Sequence, residues 1–428
     1  MIVDSLKNAW KVADLRKKIA FTLLMFLIFR IGAHIPIPFV NRDVLNQMLG
    51  SGGLFDFFDT FSGGSFKRLS VFALSITPYI TASIILQLLT IVIPSLERLA
   101  KEGDYGRKKI GQYTRYGTVI LGFVQGLGLT LGLRGALAIP SEGTRWPIYL
   151  LVTLVLTAGT AFLMWIGEAI TEKGIGNGIS LIIFAGIVSR VPDALKTLWQ
   201  LLSVGEISAL TVIGLVIIVV AVIAGVVYVQ EGQRRIQVQY AKRVVGRKVY
   251  GGQSSHIPLK VNQAGVIPVI FAVSLLAFPQ SIATWVPNSG FSNFVNRWFS
   301  MNGTLASIPY LLIYAMLIIF FTYFYTAVTF NPVEVSDNLK KYGGFIPGLR
   351  PGRATTEYLS KVLNRITLSG AVFLAGIAVL PSLVIGFTGL KNIYFGGTSL
   401  LIVVSVALET MKNLESQLMM RHYQGFMK

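Results

Sequence analysis

Ten apolar runs, most of them long enough to cross a bilayer as an α-helix, constrain this chain more than any other feature. The hydrocarbon core of a bilayer is about 30 Å thick and takes about 20 apolar helical residues to span. The 428 residues are 53% hydrophobic and 13% charged, with a mean hydropathy of +0.65, so the runs predict an all-α polytopic membrane protein. The ten predicted transmembrane helices, spans 1 to 10, cover residues 19–35, 71–93, 116–137, 148–166, 179–191, 210–229, 265–285, 308–329, 366–385 and 393–408.

The distribution of Lys and Arg between the spans predicts the orientation of the chain. Segments on the side of the amino terminus hold 28 of the 38 Lys and Arg residues, and the opposite side holds 9 when Arg134 and Arg190, at the ends of spans 3 and 5, are counted with it. Cytoplasmic loops of membrane proteins carry such an excess of positive charge. Both termini are therefore expected in the cytoplasm together with residues 95–115, 230–260 and 330–365, whereas residues 36–70 and 286–307 are expected outside.

Several classes of function lack the residues that they need. The chain has no cysteine and only three histidines, which lie far apart in the sequence, so thiolate metal sites and cysteine nucleophiles are excluded. The sequence contains neither a Gly-x-x-x-x-Gly-Lys-Ser/Thr loop for nucleotide phosphates nor a His or Ser–Lys dyad placed within the spans. We therefore expect no enzymatic activity, no cofactor and no metal. Residues 5–18 are too charged for a cleaved signal and predict an amphipathic surface helix before span 1.

Residues 230–260, between spans 6 and 7, form a cationic arm. Polar and apolar residues alternate from Arg235 to Tyr240, and Gly251-Gly252 marks a turn, so the arm predicts a β-hairpin in water. Two interpretations remain open: a loop whose charges only set the topology, or a docking surface for a large anionic partner. The arm has one acid, Glu231, and seven basic residues, which are Arg234, Arg235, Lys242, Arg243, Arg247, Lys248 and Lys260.

Two short motifs recur at matching places in the two halves of the chain. Spans 5 and 10 both begin with Gly-x-Ser-Leu-x-Ile, from Gly178 and from Gly397, and both apolar runs are short. Spans 2 and 7 share Pro-x-Ile, from Pro78 and from Pro268. Matches between opposite halves of a ten-span chain predict an inverted repeat, with residues 1–200 and 201–428 related by a pseudo-twofold axis in the membrane plane. Interrupted spans at corresponding positions locate the functional site among spans 2, 5, 7 and 10.

The middle of these four spans contains isoleucine, whereas a solute carrier would have charged residues there. Intramembrane charges mark the path of ions and substrates, but Arg30, Glu168 and Glu409 lie near span ends, where their side chains can snorkel. Isoleucines around a common axis would form an apolar constriction that excludes water and ions by dewetting. A secondary transporter built on the same inverted repeat is the alternative. The predicted ring comprises Ile80, Ile84, Ile179, Ile183, Ile270 and Ile402.

The sequence closely resembles the SecY family of protein-conducting channels along essentially its whole length. Five stretches carry the resemblance: residues 63–89, 112–117, 174–180, 331–334 and 394–402. The family implies ten helices in two inverted five-helix halves around a central hourglass pore. It further implies a channel that passes unfolded polypeptide across the membrane and releases apolar segments sideways into lipid.

The resemblance also assigns roles to residues of this chain. The six isoleucines would be the pore ring, and a short helix around residues 57–66 would be the plug that seals the pore. Spans 2 and 3 facing spans 7 and 8 would form the lateral gate, where Gln87 is either a polar gate contact or an ordinary interhelical hydrogen-bonding residue. The plug residues would be Phe57, Phe61, Ser62, Gly63, Gly64, Ser65 and Phe66.

The partners are implied by the resemblance as well. The energy for transport would come from the SecA ATPase or from a translating ribosome, while SecE would clamp the two halves and SecG would join at the periphery. The substrates would be unfolded preproteins with their signal sequences, and membrane lipid would receive apolar segments. The location would be the cell membrane of a bacterium. The expected docking residues on the cytoplasmic loops are Lys242, Arg243, Arg247, Lys248 and Arg350.

Overall fold

A helix occupies each of the ten predicted spans. The computed structural model describes residues 10–41, 44–45, 59, 62–137, 145–240, 243–245, 248–250, 254–285, 289–298, 308–388 and 397–425. In the first half the helices are α1 Ala13–Gly32, α2 Thr77–Val92, α3 Pro94–Lys101, α4 Asp104–Gly132, α5 Trp146–Lys173, α6 Gly178–Val188 and α7 Val191–Ser203. In the second half they are α8 Ala209–Glu231, α9 Ile267–Trp285, α10 Gly290–Trp298, α11 Ile308–Thr329, α12 Pro332–Lys341, α13 Arg353–Thr388 and α14 Gly397–Gly425.

Some of these helices are long and apolar enough by themselves to span a membrane. Within the described parts of the chain, five segments are long and apolar enough to cross a bilayer. A sixth is added if α2 and α3, which meet at an angle of 101°, count as one broken span. The five segments are Trp146–Lys173, Gly178–Ser203, Ala209–Glu231, Ile308–Lys341 and Arg353–Leu380.

Three predicted boundaries are wrong. Of the predicted surface helix 5–18, residues 5–9 lie outside the described residues, and residues 13–18 instead belong to α1, which begins at Ala13 and continues into span 1. Span 2 becomes helical only at Thr77, since residues 71–76 form turns before Pro78 starts the helix. Span 10 is not short: α14 runs on to Gly425 through polar residues that favour helix as strongly as apolar ones do.

The motifs shared by the two halves begin equivalent helices. Pro78 and Pro268 are each the second residue of their helix, α2 and α9, where the missing proline N–H is not needed for the helical ladder. Gly178 and Gly397 are each the first residue of α6 and α14. The local chemistry that starts a helix therefore recurs at the four places that the repeat predicts.

The cationic arm is an antiparallel ribbon, as its alternating sequence predicts. Strand β1, Gln233–Tyr240, pairs with β4, Ser254–Lys260, from Gln233 opposite Lys260 to Gln239 opposite Ser254. Strands β2, Arg243–Val245, and β3, Lys248–Tyr250, pair beyond them, and the predicted turn at Gly251-Gly252 lies outside the described residues. The fifth strand, β5, is Gly344–Phe345 of the segment between α12 and α13; it adds to the free edge of β1 in the order β4-β1-β5.

Helix packing brings the repeat-related elements together around one core. In the first half α4 packs against α2 and α5, and in the second half α11 packs against α9 and α13. The two halves meet where α9 packs against α2 and α4, and where α14 packs against α6. Small residues allow close approach in the first half, because a β-carbon on Gly159 of α5 would lie 2.0 Å from the carbonyl oxygen of Val71.

Candidate functional site: an isoleucine-lined cavity between the halves

A cavity of about 560 Å³ lies where α2 and α6 of the first half face α9 of the second half. Four of the six predicted ring residues line it: Ile80, Ile179, Ile183 and Ile270. They come from three different helices, as a constriction around an axis requires. These apolar side chains offer no hydrogen bond to anything that enters the cavity.

All six predicted ring residues belong to a single apolar cluster. Five of them are buried in the cluster, and Ile179 is half-buried against it. Ile84, at 6% exposure, and Ile402, at 0%, lie in the same cluster but outside the cavity lining. The structure therefore brings the six residues into one cluster, with four on the cavity wall and two outside its lining.

A side-chain cap and a close contact with α5 fix the start of α6, and they thereby position two of the predicted ring residues. Asn177 caps the helix by accepting a hydrogen bond from the backbone N–H of Ile179 at 3.1 Å. A β-carbon on Gly178 would lie 2.0 Å from the carbonyl oxygen of Gly167, so only glycine lets α6 approach α5 this closely. Ile179 and Ile183 follow one helical turn apart on the same face.

A polar wall completes the same cavity. The Nε of Arg115 donates to Glu168 Oε1 at 2.8 Å, forming an ion pair that joins α4 to α5. Tyr79, Asn177 and Tyr325 also line the cavity. The cavity therefore has an isoleucine part and a polar part that can hold water, an arrangement suited to admitting a hydrated chain as far as an apolar barrier.

Sequence reasoning missed most of this polar wall. Glu168 was expected to snorkel from a span end, but it faces the cavity and binds Arg115. Arg30, also expected to snorkel, instead donates from Nη1 to the carbonyl oxygen of Gly63 at 3.0 Å. The available signal was a base just before span 3 and an acid just after span 4, because these two spans are joined by a short connection and are therefore expected to pack side by side.

Gln87, the predicted gate residue, lies on α2 at the rim of the cavity and is exposed. Its Nε2 donates to Ser83 Oγ at 3.5 Å, one turn earlier in the same helix. This bond lies within α2 and does not cross to another helix, so the bond gives no support to the interhelical interpretation. The helices predicted to form the gate are in contact, because α9 packs against α2 and α4.

Of the predicted plug helix around residues 57–66, residue 59 is helical and residues 62–66 are not, while residues 57, 58, 60 and 61 lie outside the described residues. Residues 62–66 form consecutive turns, in which Gly63 and Gly64 have φ angles of +67° and +86°. This left-handed backbone favours glycine, so the pair fixes a reversal of the chain here. Asp59, Ser62 and Ser65 are fully buried in this segment. Phe57 and Phe61 lie outside the described residues.

The predicted docking residues lie on the segment between α8 and α9 and on the segment between α12 and α13, which pair in one sheet. Arg350 is exposed beyond the sheet, whereas Arg243 and Lys248 are placed only by their backbone in strands β2 and β3. Lys242 and Arg247 lie outside the described residues. The sheet β4-β1-β5 and helices α12 and α13 share a small core of Ile236, Val238, Leu259, Leu339, Ile346, Leu359 and Val362.

The fold and the cavity define a class: a polytopic helical membrane protein with an apolar cluster and a half-apolar cavity where its two halves meet. The particular family follows from comparison with known proteins. The family model described as SecY matches residues 70–411. The protein translocase subunit SecY of Bacillus subtilis is 50% identical over 434 residues, which cover 99% of both chains. The chain belongs to the SecY family, and no comparison supports the transporter alternative.

Solved structures share the fold. A structure described as that of a protein conducting channel matches with a TM-score of 0.68 and 21% identity, covering 94% of this chain and 92% of that one. Sec61 from the canine ribosome-channel complex of the endoplasmic reticulum matches with a TM-score of 0.64 and 20% identity, with the same coverage. Both likenesses extend over nearly all of this chain, so the arrangement of its helices is that of these channels.

Proposed function

We propose that this protein is a protein-conducting channel that translocates unfolded preproteins across the membrane and releases apolar segments laterally into lipid. The observation that carries the proposal is the cavity between the halves. Its wall includes four isoleucines, Ile80, Ile179, Ile183 and Ile270, and the chain belongs to the SecY family. A channel that transports polypeptides of many different sequences must not bind any of them tightly. Branched apolar side chains meet this requirement, because they pack around any chain without offering it a hydrogen bond.

The closed state is proposed to depend on the same isoleucines. Together with Ile84 and Ile402 they would form a ring that excludes water and ions by dewetting. The ring would draw on both halves of the molecule, residues 1–200 and residues 201–428, so a separation of the halves would widen it. Such a separation would break the contact of α9 with α2 and α4 and open a path to lipid there. Gln87 of α2 would lie beside this path.

The cytoplasmic face is proposed to bind the partners that drive transport. With both termini inside, residues 230–260 and 330–365 project into the cytoplasm of a bacterial cell. Their shared sheet presents Arg350 on a rigid support, which lowers the entropy lost when an anionic partner docks. We propose SecA and the ribosome as these partners, and SecE and SecG as membrane subunits of the complex. Cleavage of residues 230–260 by protease added outside intact cells would contradict this orientation.

Reconstitution tests the function. The purified chain with SecE and SecG is placed in proteoliposomes, and SecA, ATP and a preprotein are added outside. The proposal predicts that the preprotein becomes protected from added protease and that resting vesicles hold an ion gradient. Uptake of a small solute with no protection of the preprotein would contradict it. Vesicles that lack this chain are the control.

A further inference from the structure

Helix α10, Gly290–Trp298, lies in the chain between α9 and α11 and has a row of exposed aromatic side chains. Phe291, Phe294 and Trp298 are 46%, 54% and 44% exposed. Their spacing of three and four residues places them on one side of the helix. The rings of Phe294 and Trp298 lie against each other, with centroids 6.4 Å apart. The three residues therefore form a continuous aromatic stripe.

The other sides of α10 differ from the aromatic stripe. Ser292 and Val295 are buried, and α10 packs against α9. Asn293 is exposed and lies on a third side, roughly 130° around the helix axis from the middle of the stripe. Ser289 caps the start of the helix, because its Oγ accepts from the backbone N–H of Ser292 at 3.0 Å. Helix α10 therefore has a packed side, an aromatic side and a polar side.

The length of α9 sets the depth of α10 in the membrane. The ribbon of β1 and β4, on which Arg234 and Arg235 are exposed, precedes α9, and α10 follows the other end of α9. Exposed charges such as these require water. The 19 residues of α9 rise about 28 Å at ~1.5 Å per residue, close to the roughly 30 Å of hydrocarbon in a bilayer. Helix α10 therefore begins where α9 leaves the hydrocarbon, at the headgroup level of the leaflet opposite the ribbon.

The helices on either side of α10 expose apolar side chains as well. Leu275 and Phe278 of α9 are exposed, and so are Ile308 and Leu312 of α11. Apolar side chains exposed on a membrane-spanning helix face acyl chains. Three half-exposed aromatic side chains offer only about 300 Å² of surface, whereas a stable protein interface takes about 800 Å² from each partner. Aromatic residues at the headgroup level are typical of membrane proteins, so lipid fits the stripe better than a second protein does.

We propose that α10 is an interfacial helix that binds phospholipid. Phe291, Phe294 and Trp298 insert among the headgroups and the upper acyl chains, while Asn293 faces water. Because α10 joins α9 to α11, two helices of the predicted lateral gate, this anchor holds the end of the gate opposite the ribbon at the membrane surface. The inference requires a chain that spans the membrane and does not depend on transport of a preprotein.

Site-directed spin labelling measures the depth of the stripe. The chain has no cysteine, so Phe291→Cys, Trp298→Cys and the matched control Asn293→Cys each carry a single label. The full chain, with cysteine-free SecE and SecG, is placed in nanodiscs of phosphatidylethanolamine and phosphatidylglycerol, which leave both membrane faces open to solvent. Collisions of the label with oxygen, which concentrates among acyl chains, are compared with its collisions with a water-soluble nickel chelate. A label at Leu312→Cys, on α11, gives the value for full exposure to lipid.

The proposal predicts that the ratio of oxygen to nickel collisions at positions 291 and 298 is about threefold or more above the ratio at position 293 and approaches that at position 312. Equal ratios at 291, 293 and 298 would overturn the proposal, because α10 would then stand in water. Labels at 291 and 298 that neither reagent reaches would overturn it as well, in favour of a protein partner. If Trp298→Cys lowers the yield of folded protein, Phe291→Cys carries the test alone.

Discussion

Two neighbouring isoleucines of α6 provide a sharp test of the apolar barrier. Ile183 is 2% exposed and lies on the cavity wall, whereas Ile182 is fully buried. Ile182 packs against α5, where a β-carbon on Gly167 would lie 3.4 Å from its Cδ1. Replacing each isoleucine with Asn therefore places the same amide in two environments, one beside a cavity that can hold water and one in a packed helix interface.

The magnitude follows from the hydration of the amide. A buried polar group without a partner costs about 1–3 kcal/mol, or about a 5- to 150-fold change in the ratio of folded to unfolded protein. Ile182→Asn bears this cost, so we expect a low yield of folded protein whose surviving channels are tight. Ile183→Asn can hydrate its amide from the cavity, so we expect a nearly normal yield and a constriction that is wetted and leaks ions.

Yield is measured as monodisperse protein in detergent, and leak as conductance per channel in a planar bilayer. The reasoning predicts opposite outcomes for the two variants. It would be refuted if Ile183→Asn gave little protein with tight channels, because Ile183 would then be a packing residue. An equal leak from both variants would also refute it, because the conductance would then report a general loosening of α6.

Three further predictions concern other parts of the molecule. Ile402→Asn should lower the yield, because Ile402 is as fully buried as Ile182, but its surviving channels should leak as a member of the ring; tight surviving channels would remove it from the ring. Arg350→Glu should slow SecA-driven transport several-fold at unchanged yield, because it reverses an exposed charge on the proposed docking surface, whereas Arg353→Glu on the next helix should have little effect. Gly159→Ala should lower the unfolding temperature, since overpacking costs about 1–3 kcal/mol, while Gly214→Ala, with nothing within 4 Å of its β-carbon, should not.

The features that sequence predicted are those with a local signal. Apolar runs located a helix at all ten spans, and alternation from Arg235 to Tyr240 predicted the ribbon of β1 and β4. The paired motifs predicted equivalent helix starts, because proline and glycine act on the backbone within a turn of their own position. The error at residues 5–18 has the same origin, since basic residues favour helix and so give no sign that α1 begins among them.

The features that sequence did not predict join residues that are distant in the chain. The pairing of Gln239 with Phe345 joins the segment after α8 to the segment after α12, and the ion pair of Asp59 with Arg190 joins the segment before α2 to the end of α6. Neither contact produces a periodic pattern in the amino-acid sequence of the segments that it joins. The family resemblance named the six isoleucines in advance, and their role as a ring stays a prediction. Their division into four that line the cavity and two that lie outside its lining follows only from the three-dimensional arrangement of the helices.

The most direct test of the central claim is to ask whether a polypeptide in transit touches the isoleucine wall. A photoreactive amino acid is placed at Ile183 or Ile270, and at Ile182 as the control, and a preprotein is stalled partway through the reconstituted complex. A channel through this cavity predicts crosslinks from positions 183 and 270 to the stalled chain and little or none from position 182. If a stalled, protease-protected preprotein crosslinked to neither 183 nor 270, polypeptide would cross elsewhere, and the account would be contradicted.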